Sequence, residues 1–373
     1  FAMGGLERSI ARLANGVDRE HFDPTVICLC NDTSAANWLQ GKTTPVLTLN
    51  KKLGNDHAVV RRLAVVLNKL SVDVVHSHNW GTILETSLAR YMASVPVHVH
   101  AERGTVGGSI DGTGFRNRIR SCAMRWCMNR ADAVVSNAIS VCKRVEARCG
   151  YPAERIHVIS NGVESLQLAD HELARQEIRR ELGIPSGASL IGSVGRLQKV
   201  KAFELAIDAL AAMHTAPDPH LVLVGDGDQL QFLQQRAATL GVTERVHFAG
   251  RQEDVGRWLA AMDVYINTSL SEGMSQSIVE AMSVGLPLVV TDVGDNALLA
   301  LGEPVCGLVI DSGSVPQMAS ALNQLIGDPL LRQELGTNAL TNFQARFEFK
   351  RMVDDYQLLY DELIRQKRLQ PCR

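Results

Sequence analysis

Short apolar runs recur along the chain and alternate with segments of helical spacing. In the first half the runs predict strands over 25–30, 45–49, 72–76, 97–100, 133–135 and 156–159. In the second half they predict strands over 190–194, 220–224, 246–248, 264–267, 287–291 and 307–310. Several are unbroken Val, Ile and Leu, the pattern of strands buried on both faces in a parallel sheet. The intervening segments carry a period of three to four; Phe203, Ile207, Leu210 and Met213 share one helical face. Strand and helix in steady alternation predict an α/β chain of doubly wound, Rossmann-like layers.

The alternation breaks at Ser160-Asn161-Gly162-Val163-Glu164, where Asn-Gly punctuates the end of one strand set. A charged helix over 170–183 follows, and a second strand set opens at Leu190. The reading is an N-terminal domain over 1–163, a C-terminal domain over 164–348 and a final helical segment over 349–373. Two facing domains with a cleft between them are expected. The first residues, ending in Gly4-Gly5-Leu6-Glu7, read as a loop after a strand that precedes residue 1, with a helix over 8–15 behind it.

Composition narrows the class. The 373 residues suit two domains, and 46% hydrophobic residues allow two sizeable cores. A net charge of −2 argues against a nucleic-acid binder. The eight cysteines form no C-x-x-C pair, so free thiols in a reducing cytoplasm are expected. No apolar run nears the ~20 residues that span a bilayer, and no signal peptide is visible.

The chemistry is most legible in Ser269-Leu270-Ser271-Glu272-Gly273-Met274-Ser275-Gln276-Ser277-Ile278-Val279-Glu280-Ala281-Met282. A predicted strand, a small-residue loop and a helix follow one another here. Backbone N–H groups at such a helix start suit an anion, and Glu272 and Glu280 supply acceptors for hydroxyls. Amides for an anion beside carboxylates for hydroxyls describe a nucleotide sugar. Arg196 and Lys201, with Lys199 as a competitor, flank the turn after strand 190–194, at the carboxyl end where open α/β sheets bind ligands. Gly225-Asp226-Gly227 lacks the third glycine of a dinucleotide fingerprint.

These segments, in order, resemble retaining glycosyltransferase family 4, whose fold is GT-B: two facing Rossmann-like domains around an interdomain cleft. The resemblance rests on Gly4-Gly5-x-Glu7, Val74-Val75-His76-Ser77-His78, Ile159-Ser160-Asn161-Gly162-Val163 and Val194-Gly195-Arg196-Leu197…Lys201. It continues through Leu223-Val224-Gly225-Asp226-Gly227, Phe248-Ala249-Gly250, Ser271-Glu272-Gly273…Glu280-Ala281-Met282…Gly285-Leu286-Pro287 and Thr291-Asp292-Val293-Gly294. It implies a metal-independent hexosyltransferase of surface polysaccharide or glycoconjugate synthesis, with a nucleoside diphosphate sugar as donor and a glycan or lipid-linked acceptor. No cofactor beyond the donor substrate is implied. Arg196 and Lys201 would meet the diphosphate, Glu280 the ribose diol and Glu272 the transferred sugar. Gly273, Met274, Ser275 and Gln276 would offer amides, Gly4 and Gly5 would border the donor phosphates, and Gly225 would lie near the base. The last segment would cross back onto the first domain.

One wall stays open at this point. In Pro96-Val97-His98-Val99-His100-Ala101-Glu102-Arg103-Gly104, family members carry a histidine where either Arg103 or His100 stands in this chain. His76 and His78 read equally as satisfied strand-end groups. Arg116, Arg118, Arg120, Arg125 and Arg130 run without an acid among Ile119, Met124, Trp126 and Met128. Such a stretch over 116–130 suits peripheral contact with an anionic membrane, an anionic acceptor, or a solvated helix face. Other readings of the whole chain are a nucleotide-sugar epimerase or phosphorylase of the same fold, and a catalytically silent nucleotide-binding scaffold.

Overall fold

A computed structural model describes residues 5–39, 44–52, 56–103, 114–165, 171–215 and 217–369. The chain divides into two compact units, one of residues 1–162 with 349–373 and one of residues 163–348.

In the first unit, β1 (Val26–Cys28) and β2 (Val46–Thr48) form a parallel pair. Strands β3 (Val74–His78), β4 (Val97–Glu102), β5 (Ala133–Ser136) and β6 (Ile156–Val158) form a four-stranded parallel sheet in that order. The helices are α1 (Gly5–Gly16), α2 (Ala58–Lys69), α3 (Trp80–Ala93), α4 (Phe115–Met128) and α5 (Ile139–Cys149). The last helix of the chain, α14 (Phe349–Leu369), also belongs to this unit. It lays Met352, Val353, Tyr356, Leu359, Tyr360 and Leu363 onto Val97, Val99 and Ala101 of β4 and onto Leu13 and Val17. Each such apolar side chain taken from water contributes roughly 1.5–3 kcal/mol before entropy is counted.

In the second unit, β7 (Leu190–Val194), β8 (His220–Val224), β9 (Val246–Gly250), β10 (Val264–Asn267), β11 (Leu288–Thr291) and β12 (Gly307–Ile310) form one parallel sheet. Its order is β12-β11-β10-β7-β8-β9. The chain therefore starts in the middle, builds outward to β9, then returns to the other side of β7. Helices α7 (Glu204–Ala211), α8 (Leu230–Thr239) and α12 (Val315–Gly327) bury one face. That core holds Ile191, Leu221, Leu223, Val264, Ile266 and Val289 against Ile207, Leu210, Leu233, Met318 and Leu322. The remaining helices are α6 (His171–Glu181), α9 (Val255–Ala261), α10 (Gln276–Ser283), α11 (Asn296–Ala300) and α13 (Pro329–Arg346).

All twelve expected strands are present; β7, β8, β10 and β12 have the expected ends, and the others shift by one to two residues at one end or both. β3 runs over Val74–His78 because Val72 N still donates to Leu67 O at the end of α2 (3.3 Å). β4 runs on to Glu102, so His100 stands inside the strand and not at its end. The reason is the parallel register, in which Ser77 pairs with His100 and His78 with Ala101.

Candidate active site

β7 and β10 are neighbours, although they are first and fourth along the chain in their sheet. Strand order reverses between them, and ligands bind beyond the carboxyl ends of open α/β sheets at such a point. The loops leaving β7 and β10 carry Arg196 and Lys201, and Glu272, respectively.

The β7 loop is fixed by backbone. Gly195 N donates to Val224 O (2.9 Å), Leu197 N to Asp226 O (2.7 Å) and Gln229 N to Leu197 O (2.9 Å). This approach requires glycine. At Gly225 (φ +142°) a Cβ would stand 1.9 Å from Gly195 O, and at Gly227 (φ +157°) 2.3 Å from Leu197 O. Gly225 thus holds the Arg196 turn against the loop after β8. Leu197 is buried, while Arg196 between these anchors is exposed and pairs with no described carboxylate.

Lys201, and not the exposed Lys199, turns toward the β10 loop. Its Nζ meets Glu272 Oε1 at 2.5 Å, and Ser269 Oγ donates to the same oxygen at 2.7 Å. The pair keeps only 23% and 13% of its side-chain surface, so solvent screens it weakly. The two loops are also joined by Leu270 N→Val200 O (2.8 Å) and Thr268 Oγ1→Lys201 O (2.6 Å).

The β10 loop rests on buried polar side chains. Asn267 Oδ1 accepts from Ser269 N (3.1 Å) and Asn296 Nδ2 (3.1 Å), and Thr291 Oγ1 donates to Ser269 O (2.7 Å). Asp295 N donates to Gly273 O (2.9 Å), and the Cβ position of Gly294 (φ +59°) is 2.6 Å from Glu272 O. The N-cap hydroxyl of α10 is diverted: Ser275 Oγ accepts from Asn267 Nδ2 (3.2 Å) and caps no amide. The amides of Gly273, Met274, Ser275, Gln276 and Ser277 consequently hydrogen-bond no described residue, and Gln276 Nε2 is a buried donor without a partner. The first amides of a helix have no intrahelical partner, and a consecutive run of them at a helix start suits an anion.

Glu280 lies on α10, 8% exposed. Burial raises the pKa of the fully buried Tyr265 hydroxyl, and the nearby Glu280 charge acts in the same direction.

The first-unit residues fall into two groups. His100 is fully buried; its Nδ1 meets Ser77 Oγ (2.9 Å) and its Nε2 faces Glu102 Oε2 (3.4 Å). Arg103 is elsewhere, with its guanidinium bonded to Ser9 Oγ, Asn161 Oδ1 (3.1 Å) and Tyr356 Oη (2.7 Å). α1 begins at Gly5, and Gly4 lies outside the described residues. Among the described residues, no group of three His, Cys, Asp or Glu side chains can hold a metal ion. The residues missed from sequence are those that hold others: Asn267, Thr291, Asn296, Gly227, Ser9, Asn161 and Tyr356. The buried polar types just after apolar runs, Asn267 above all, were the signal.

A family model described as Glycosyltransferase Family 4 matches residues 3–165, and one described as Glycosyl transferases group 1 matches residues 174–341. The lipopolysaccharide core biosynthesis glycosyltransferase LpsE of Rhizobium meliloti (strain 1021) is 33% identical over 60% of this chain and 63% of its own length. The UDP-Gal:alpha-D-GlcNAc-diphosphoundecaprenol alpha-1,3-galactosyltransferase of Escherichia coli is 25% identical over 97% of this chain and 95% of its own. Among solved structures, Anabaena HepE in complex with UDP superposes with a TM-score of 0.83 at 22% identity, covering 96% of both chains. WaaG, a glycosyltransferase involved in lipopolysaccharide biosynthesis, gives 0.69 at 20% identity over 97% of both. The fold is GT-B, and the chain belongs to glycosyltransferase family 4, the glycosyl transferases of group 1.

Proposed function

We propose that the protein moves a hexosyl unit from a nucleoside diphosphate sugar to a hydroxyl of a glycan or lipid-linked acceptor, in polysaccharide or glycoconjugate synthesis. The observation that carries this reading is the run of amides without a described acceptor from Gly273 to Ser277, beside the Lys201–Glu272 pair at the strand-order switch. The names of the relatives support it: one acts in lipopolysaccharide core synthesis, and another takes UDP-Gal to a diphosphoundecaprenol-linked sugar.

In this reading the donor diphosphate sits on the amides. Lys201 and Arg196 offset the negative charge that grows on the leaving phosphate as the glycosidic bond breaks. Fixed cations and amides do this without reorganising, which supports a metal-independent reaction. Glu280 accepts from the ribose hydroxyls. Glu272, oriented by Lys201 and Ser269, faces the sugar being moved. Retention of anomeric configuration is proposed from the family resemblance.

The test separates binding from transfer. Nucleoside diphosphate affinity is measured by calorimetry and turnover by acceptor-dependent diphosphate release. Glu280→Ala should mainly weaken binding, and Glu272→Ala should mainly slow transfer. Unchanged affinity and rate in both variants would refute the assignment. Conversion of the donor to an epimeric nucleotide sugar without acceptor would favour an epimerase, and binding without turnover a silent scaffold.

Membrane contact belongs to the same proposal. On α4, Met124 and Met128 are buried, whereas Phe115, Ile119, Cys122 and Trp126 form one exposed stripe. Exposed Arg118 and Arg125 lie on one side of it and Arg120 and Arg130 toward the other. Apolar insertion with arginines at head-group level fits an anionic bilayer. Vesicles of anionic lipid should pellet the protein, and Ile119→Ser with Trp126→Ser should reduce this. Equal pelleting by neutral vesicles would count against it.

A further inference from the structure

Arg103 carries an unanswered charge. It is 9% exposed, at the carboxyl end of β4. Its described partners are all neutral: Ser9 Oγ, Asn161 Oδ1 and Tyr356 Oη, with the Tyr356 ring 5.6 Å from the guanidinium carbon. No described carboxylate pairs with it, and its Nε has no hydrogen-bond partner. A buried cation held only by neutral dipoles is costly unless an anion completes it.

The surroundings are arranged for such an anion. Arg103 N donates to Asn79 Oδ1 (3.0 Å), and Asn79 N to Ala101 O (2.8 Å). These bonds hold Asn79 at φ +57°, ψ +170°, a conformation that non-glycine residues avoid. His78 precedes it. Its buried Nδ1 has no partner, and burial first, then the Arg103 charge, hold its imidazole neutral. The strained backbone thus joins the end of β3 to a guanidinium with an unused N–H.

We infer that Arg103, with His78 beside it, forms an oxyanion subsite in the first unit that takes a phosphate group. Its place at the carboxyl end of the first-unit sheet favours a phosphate carried by the acceptor; the donor diphosphate is the other source. Only that choice of source rests on the transfer reading above. Nothing in the amide run of the second unit is needed for the subsite itself.

The test uses inorganic phosphate as probe and the full chain, titrated with and without saturating UDP. Saturable phosphate binding that persists under UDP, falls about tenfold in Arg103→Gln and survives in Tyr356→Phe is the expected result. Arg103→Gln keeps a hydrogen-bonding side chain and loses the charge, whereas Tyr356→Phe loses a clamp bond and keeps the charge. Binding that depends on Arg103 but is displaced by UDP would support the oxyanion site and give it to the donor. Absence of saturable binding in the unmodified protein, or equal binding by Arg103→Gln, would overturn the inference. Should Arg103→Gln fail to fold, the Arg103 Nε–H resonance of the unmodified protein must move on phosphate addition; a static signal overturns the inference. If UDP itself does not bind, the donor reading fails, while the arm without UDP still reads Arg103.

Discussion

The carboxyl ends of the two sheets are built by opposite means. In the second unit Lys201 pairs with Glu272 and Asn267 with Asn296, and the amides from Gly273 to Ser277 hydrogen-bond no described residue. In the first unit the groups without a described hydrogen-bond partner are side chains: Arg103 Nε, His78 Nδ1 and both Glu102 oxygens. A backbone site serves any ligand with the right phosphate geometry and tolerates little change in chain path. A side-chain site is set by residue type and tolerates change in the path more readily. The difference fits a shared donor and a variable acceptor.

The largest expected effects break the backbone side of this contrast. Gly225→Val drives a side chain into Gly195 O at a φ of +142° and should destabilise the second unit by about 3 kcal/mol or more, read as a lowered thermal midpoint with activity lost. In the first unit, Gly150→Ala also sits at positive φ (+68°), but its Cβ would meet only the flexible Arg125 side chain at 3.0 Å. It should cost about 1–2 kcal/mol and leave activity intact. Equal losses at the two positions would remove the contrast.

Next comes the ion pair. Lys201→Met removes a cation from the leaving group and should lower turnover about 100-fold at saturating donor. Glu272→Gln keeps the Ser269 bond in shape and should cost less, with nucleoside diphosphate affinity near that of the unmodified protein. A turnover unchanged in Lys201→Met would take the leaving-group role away from it.

A third effect is the pH response of the first unit. Burial first, then the neighbouring His100 and Arg90, push His98 down to about 3, and its Nε2 meets Ser77 Oγ at 2.8 Å. The folded value lies below the unfolded one of about 6.5, so the unfolded chain takes up the proton first as pH falls. Stability from this group is complete above about pH 6.5 and declines toward pH 3. His98→Gln should flatten that decline in urea unfolding monitored across the range; an unaltered slope would contradict it. The smallest effect is expected for Tyr356→Phe, which removes one bond to Arg103 and should cost about 1 kcal/mol.

Apolar continuity was sufficient to place every strand, because burial on both faces leaves a run that polar residues rarely interrupt. It misplaced the ends of β3 and β4, where His76, Ser77, His78, His100 and Glu102 look like the polar exit of a strand. They remain in it because Ser77 Oγ meets both His98 and His100 across the pair. Glu272, Lys201 and Arg196 were legible because the loops that carry them directly follow strands. The cradle of Arg103 was not legible. Its partners Ser9, Asn161 and Tyr356 lie 94, 58 and 253 residues away, and only the folded path brings them together. Likewise, only the strand order made β7 and β10 neighbours and gave Lys201 its partner.

The central claim is that the amides entering α10 receive the donor diphosphate, and amide-resolved NMR on the labelled chain tests it most directly. Addition of UDP should shift the signals of Gly273, Met274, Ser275, Gln276 and Ser277 together, with the same midpoint as the calorimetric titration. UDP binding that leaves those five signals in place would contradict the account.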